Sequence, residues 1–209
     1  MAPTARLILA SASPRRRELL RAIGVRFRVV PSRIEEVPRP GEPPLRFVRR
    51  AAREKGEEVA SRHPDAMVLS ADTIVVAGRR ILGKPSTRRE AERMLFLLAG
   101  REHLVHTAVC LLRQVDGYRD RLCMTSRVRF RSLTREEIAA YLRTGESDDK
   151  AGAYAAQGAG TLLIDRIRGS FTNVVGLPMT QTLAMLLRSG LVRVSRKGPG
   201  WYEFAGKGT

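Results

Sequence analysis

The segment Met67-Val68-Leu69-Ser70-Ala71-Asp72-Thr73-Ile74-Val75-Val76 constrains the fold of this chain most. It is the most apolar strand-like run, and its branched residues favour a pleated, buried backbone. Nothing in such a strand calls for a carboxylate, yet Asp72 stands in its middle. An ionised carboxylate in a half-buried strand costs, roughly, several kcal/mol unless a cation or hydrogen bonds compensate. The strand alone leaves two readings: Asp72 faces solvent on an edge strand, or it has a partner that needs it.

The 209 residues suit one large domain or two small ones and are enough for a buried core. The reading is one enzyme-sized unit over 1–190 and a basic tail over 191–209, whose last dozen residues are expected to fray. Apolar residues make up 43%. No run approaches the roughly 18 uninterrupted apolar residues of a membrane span, and no charged start leads into an apolar core and cleavage site. A soluble, cytoplasmic protein without a membrane partner is expected. Cys110 and Cys123 lie in apolar strand-like stretches, where a free thiol behaves as a small hydrophobe, so they imply neither disulfide nor metal.

Lys and Arg number 38 against 21 Asp and Glu, a net charge of +17. Such a charge attracts nucleic acid, anionic membrane or small polyanions without choosing among them. With aromatics at 5% there is little sign of the stacking platforms that single-stranded nucleic-acid binders use, which disfavours nucleic acid as a partner. The excess arginine is spread over helix-like segments, the usual form of a solvated basic surface.

Residues 6–10 form a short strand that leads into Ser11-Ala12-Ser13-Pro14-Arg15-Arg16-Arg17. Ser13 caps free amides, Pro14 suits the first helical position, and Gly24 ends the helix. Backbone amides, the positive end of the helix dipole and guanidinium forks converge there, as a phosphate site requires. Basic residues in a first turn oppose the dipole, and a local cost with no structural gain points to function. A second helix runs from about Pro44 to Arg62 with Leu45, Val48, Ala52, Lys55 and Val59 inward. Lys55 lies on the apolar face, where its ammonium either snorkels to the rim or reaches an anion or a carboxylate such as Asp72. Between these helices 32–37 is polar and extended, with Glu35 and Glu36 open to a surface reading, and 38–44 is a Pro-rich linker.

Residues 78–86 carry the G-x-x-x-x-G-K spacing of a phosphate loop, but Pro85 follows Lys84 where Ser or Thr and a helix start are needed. The segment reads as a hairpin, 73–77 against 80–82, that leaves Lys84 near the strand's end. Capping boxes at Thr87 and Thr134 open helices that stop near Gly100 and Gly145. Strands at about 104–112, 120–131, 161–166 and 170–175, and a last helix over about 178–188, complete a mixed α/β pattern.

The strings LASASPRRRELL at 9–20, AREKG at 52–56, SADTIVV at 70–76, GKP at 83–85, DKAGAYAAQGAG at 149–160 and GSFTNVVGLP at 169–178 resemble, in that order, the Maf-like nucleotide pyrophosphatases over about 7–187. The resemblance implies an α/β fold, a mixed twisted sheet with flanking helices whose two lobes enclose a deep groove, as in the inosine triphosphate pyrophosphatases. It also implies hydrolysis of nucleoside triphosphates to monophosphate and pyrophosphate with a divalent metal, Mg or Mn. By resemblance Asp72 is the proton-accepting catalytic residue, Ser11, Arg16, Glu36, Lys55 and Lys84 line the groove, and Asp149 and Lys150 form the pair of a late loop. On that assignment Glu36 and Asp72 hold the metal and orient water, while Arg16, Lys55 and Lys84 offset the roughly four negative charges of a triphosphate.

Gln157 points to the subgroup acting on dTTP and UTP, since the 7-methyl-GTP subgroup tends to carry Glu there, and an amide offers donor and acceptor to a uracil-type edge. Arg15 and Thr73 match other positions linked to specificity. Ser147-Asp148 depart from the family pattern, where Pro and an apolar residue are common, and the arginine content is unusually high. The rival reading is a non-catalytic regulator of septum formation that binds protein or nucleic acid; a nucleic-acid groove has no use for Glu36 and Asp72 facing phosphates. A homodimer is compatible with the sequence, which does not set the oligomeric state.

Overall fold

Alternation along β3 (Met67–Ala77) decides how the layers stack. Val68, Ile74 and Val76 point to one side of the sheet, Met67, Leu69, Ala71 and Val75 to the other, as the two-residue period of a strand dictates. A computed structural model describes residues 7–195 and 202–205. It places β3 inside a seven-stranded mixed sheet of order β2-β1-β3-β5-β6-β7, with β4 also paired to β3. β5 (Glu102–Arg113) runs antiparallel along one edge of β3 from Val68↔Leu112 to Val76↔Leu104. On the other edge β1 (Leu7–Leu9) pairs in parallel with Met67 to Leu69, and β4 (Arg80–Leu82) pairs with Val75 to Ala77. Asp72 is therefore on an interior strand, and Ser70 to Ile74 lack a strand partner on that second edge among the described residues. β2 (Arg28–Val29), β6 (Tyr118–Phe130) and β7 (Ile164–Arg168) complete the sheet.

One face is covered by α2 (Pro44–Arg62), whose Val48, Ala51, Ala52 and Val59 pack on Val68, Ile74 and Ala108. The approach is close because residue 56 is glycine: a side chain there would meet Ser70 Oγ at 2.6 Å, and that hydroxyl donates to Ala52 O at 2.7 Å. The opposite face takes α1 (Pro14–Arg21) and α6 (Met179–Arg188) over Leu69 and Leu111. Beside them α3 (Arg88–Leu98) and α4 (Arg135–Arg143) pack over Val105 and Phe130. At Thr134 the expected capping box forms, with reciprocal bonds at 2.8 and 3.2 Å. At Thr87 only half of it does, since Thr87 Oγ1 accepts from Glu90 N at 3.1 Å while the Glu90 carboxylate turns to Ser86 N and Oγ instead of to Thr87 N.

Several expectations need correction. Leu45 is exposed, because Phe47 carries the buried stripe into the first turn of α2. The expected strand over 170–175 is helix α5 (Phe171–Val175): Ser170 caps it, and Asn173 is drawn inward to donate to Val105 O and Ser126 Oγ. Tertiary bonds override the strand preference of its branched residues. The preceding stretch is a 3-10 turn over Gly158–Leu163 before β7. Fraying was expected for the last dozen residues, yet β9 (Tyr202–Phe204) pairs with β8 (Val192–Val194), and Tyr202 and Phe204 pack on the α6 side of the core. Of that dozen, 198–201 and 206–209 lie outside the described residues. Cys110 and Cys123 are free thiols. Among the described residues no helix is long and apolar enough to cross a membrane.

Candidate active site

Where β1 stops and β4 has not begun, the open edge of β3 leaves a cavity of about 270 Å³. Such a break at the carboxyl end of a parallel strand is where α/β sheets commonly take ligands. The turn from β1 into α1 lines it, as do the segment before α2, the middle of β3, the loop around 149–156 and the end of α5.

On the α2 side, Asp72 is 2% exposed. Lys55, carried inward by the apolar stripe of α2, donates from Nζ to Asp72 Oδ1 at 2.7 Å and pairs with Glu36 Oε1 at 2.6 Å. The snorkelling alternative for Lys55 is excluded by its burial. Glu36 sits at the mouth with 42% of its side chain exposed. Burial and the neighbouring Asp72 push the Glu36 carboxyl up, against the pull of Lys55. Burial alone would raise the Asp72 carboxyl too, but Lys55, helped by the neighbouring Glu36 and then by Arg16, outweighs it and holds Asp72 below the ordinary carboxylate range. One carboxyl is thus poised to carry a proton and the other to stay ionised. Asp72 Oδ2 is buried without a hydrogen-bond partner, an arrangement that is costly unless something else occupies it.

On the other side of the sheet, Thr73 faces Arg16. The guanidinium of Arg16 donates from Nε to Gly176 O at 2.8 Å, from Nη2 to Thr73 Oγ1 at 2.9 Å and from Nη1 to Ser11 Oγ at 3.2 Å. Thr73 Oγ1 is 3.0 Å from Thr107 Oγ1, which donates to Asn173 O. Gly176 has φ of 120°, a backbone conformation that side chains rarely adopt, so glycine there lets the carbonyl face Arg16. Burial pushes the Arg16 guanidinium down, opposed by Asp72 and Glu36. Arg16 thus spends three of its five N–H groups on the wall.

The third wall brings Arg15, Lys84, Asp149 and Lys150 together. Lys150 pairs with Asp149; burial, then the charges of Arg15 and Lys84, push its ammonium down to about 8. A backbone bond from Gly152 N to Gly83 O, 3.0 Å, ties the two lysine-bearing loops together. Of the residues the resemblance assigns to the site, Gln157 is the one not on the wall: its neighbour Ala156 lines the cavity and Gln157 does not. Of the three arginines that open α1, Arg15 and Arg16 line it while Arg17 does not. Two residues that sequence reasoning missed shape this wall. Glu146 accepts from Ala159 N and Gly160 N at 3.0 and 3.1 Å, and Gly160 is required because a side chain would meet Ala155 O at 2.0 Å. Tyr154 lines the apolar part with Val75, Val105, Val174 and Val175, its hydroxyl 2.8 Å from His103 Nε2 and its ring edge-on to Phe130. Tyr154 lay inside a legible motif, but a loop has no period to show which way it points.

Among the described residues no three His, Cys, Asp or Glu side chains converge on one point. Two carboxylates do, and Mg²⁺ is commonly held by one or two carboxylates together with substrate phosphates. Asp72 Oδ2 and the Glu36 carboxylate are the oxygens available to such a cation.

The family described as Maf-like protein matches residues 6–189. Among curated relatives, the chain is 50% identical over 185 residues to a dTTP/UTP pyrophosphatase of Myxococcus xanthus strain DK1622, covering 88% of this chain and 93% of the relative. It is 46% identical over 192 residues to a dTTP/UTP pyrophosphatase of Syntrophus aciditrophicus strain SB, covering 92% and 94%. A dTTP/UTP pyrophosphatase of Clostridioides difficile strain 630 is 45% identical over 175 residues, covering 84% and 90%.

Proposed function

The chain belongs to the Maf-like protein family, and from that premise we propose that it is a nucleoside triphosphate pyrophosphatase that hydrolyses dTTP and UTP to the monophosphate and pyrophosphate. One observation carries the reading: Lys55 bridges Glu36 and Asp72 at the floor of a cavity whose other walls present Arg15, Arg16, Lys84 and Lys150. Cations on three sides suit a polyanion, and the paired carboxylates give it a place for chemistry.

Arg16 and the lysines of the third wall hold the phosphate chain, and the apolar side around Tyr154 and Val105 receives the rest of the nucleotide. Lys55 keeps Asp72 ionised, so that its carboxylate can accept a proton from water. The water oxygen bonds to the α-phosphorus, the bond from that phosphorus to the bridging oxygen breaks, and pyrophosphate leaves with the electron pair. A divalent cation such as Mg or Mn would be held by Glu36, Asp72 and the phosphate oxygens, and would supply neutralisation of the charge that builds on them. The orphaned Asp72 Oδ2 supports that fit.

The test is a pyrophosphate-release screen over canonical and modified triphosphates. We expect dTTP and UTP to be preferred, with monophosphate and pyrophosphate in equal amounts. Release of orthophosphate, or no turnover of any triphosphate, would overturn the reading and revive that of a non-catalytic regulator.

A further inference from the structure

Glu36 stands in a segment, residues 30–43, that forms neither helix nor strand. Its carboxylate nevertheless meets Lys55 at 2.6 Å. What holds the segment is one stripe of α2. Arg50, Glu54, Glu58 and Arg62 recur at every fourth residue and so lie along one side of the helix. Ahead of Glu36, Glu58 Oε2 accepts from Arg33 N at 3.3 Å, and Arg62 reaches Pro31 O at 3.4 Å. Beyond Glu36, Arg50 donates from Nη2 to Val37 O at 3.0 Å. The same guanidinium forks Glu42 at 2.8 and 2.6 Å and takes Glu54 at 3.0 Å. Glu42 in turn accepts from Arg39 N at 3.1 Å.

Arg50 thus binds the carbonyl of the residue directly after Glu36 and the carboxylate that closes the following turn. Its side chain is only 14% exposed. A solvated surface arginine has no reason to give up its donors in this way, and a lysine, with one compact ammonium, cannot fork Glu42 and reach Val37 together. We propose that Arg50 is a positioning residue that fixes the backbone beside Glu36 and so keeps that carboxylate on Lys55 and Asp72. The proposal rests on the reading of Glu36 as part of the catalytic cavity, and concerns how a ligand without an element of its own is held in register.

The test compares Arg50→Ala, Arg50→Lys, Glu36→Gln and the double variant Glu36→Gln/Arg50→Ala in steady-state hydrolysis of dTTP and in amide hydrogen exchange. For Arg50→Ala we expect kcat to fall about tenfold or more with KM within about threefold, the pattern of a displaced catalytic group. Arg50→Lys should fall between it and the wild type. The double variant should be no slower than Glu36→Gln within about twofold, because a residue that acts through Glu36 has nothing left to act on. Exchange of the amides of 34–39 should speed about tenfold in Arg50→Ala while those of 51–60 stay protected, which a merely structural role in α2 would not produce. Wild-type kcat with unmoved exchange, or losses that multiply in the double variant, would overturn the proposal. If Glu36→Gln itself keeps full turnover, the reading of Glu36 fails and takes the proposal with it. If only Arg50→Ala is silent, the proposal alone fails. Should Arg50→Ala not fold, Arg50→Lys decides on the same two measurements.

Discussion

Lys55 Nζ and Asp72 Oδ1 lie 2.7 Å apart in a place where both residues are buried, so the charge of each is held by the other. Breaking such a pair by removing one member leaves an uncompensated charge. Here Glu36 stands 2.6 Å from the same ammonium and can take over part of that role.

Asp72→Asn keeps the shape and removes the charge and basicity. Turnover should fall by about 100-fold or more, as is typical when an essential acid-base or metal-holding group is lost. Circular dichroism should show the fold retained, because Lys55 still has Glu36. More than about a tenth of wild-type pyrophosphate release would remove Asp72 from the reaction.

Lys55→Met fills the apolar stripe of α2 and removes the cation between two carboxyls. Lys55 pulls down both Glu36 and Asp72, so without it both hold their protons to higher pH. The acid limb of the kcat/KM profile should therefore move to higher pH, with a raised KM for the triphosphate at neutrality. The stability that Asp72 contributes is present above its unfolded value and lost as pH falls through its lowered folded value. In the variant that loss should begin at a higher pH in acid-unfolding curves. A pH profile superimposable on the wild type would reduce Lys55 to a packing residue.

Lys150 has its proton held only to about 8 in the folded protein, against an ordinary 10.5. The folded chain therefore binds fewer protons than the unfolded one between those values, and the Lys150 contribution to stability improves as pH rises through that window. Phosphate binding responds in the opposite sense. Wild-type KM for dTTP should climb as pH passes about 8, whereas Lys150→Arg, which stays charged, should hold it level. A rise of equal size in both proteins would show that Lys150 is not in contact with the phosphates.

Gln157 is half-buried beside the wall and not on it. Gln157→Glu should change kcat/KM by less than about threefold, and in the same proportion for dTTP, UTP, GTP and 7-methyl-GTP. A selective loss of about tenfold for dTTP and UTP would return the side chain to the base edge.

Strongly periodic or capped segments were legible. The stripe of α2 brought Lys55 inward, the caps at Ser13, Thr87 and Thr134 set three helix starts, and the carboxylate in an apolar strand marked Asp72. What failed depended on contacts between distant residues. Nothing local shows that Asn173 will bond to Val105 and Ser126, so its branched neighbours read as a strand when they form a helix. The bonds that orient Arg16 on the wall were equally hidden, because two of its three partners, Thr73 and Gly176, lie 57 and 160 positions away. Glu146 and Tyr154 sit in loops, where orientation is set by backbone turns and not by a period. The fourfold spacing of Arg50, Glu54, Glu58 and Arg62 was open to inspection, but it has meaning only once the segment bearing Glu36 is known to lie along it.

The bond from Gly152 N to Gly83 O joins two loops that are far apart in the chain and carry, within two residues of it, Lys84 and Lys150. In evolutionary terms the two lysines are one character. An insertion or deletion beside either glycine would displace one partner of this bond, so a length change in one loop is felt in the other. Selection can vary the composition of these loops residue by residue, but it can alter their reach only in pairs.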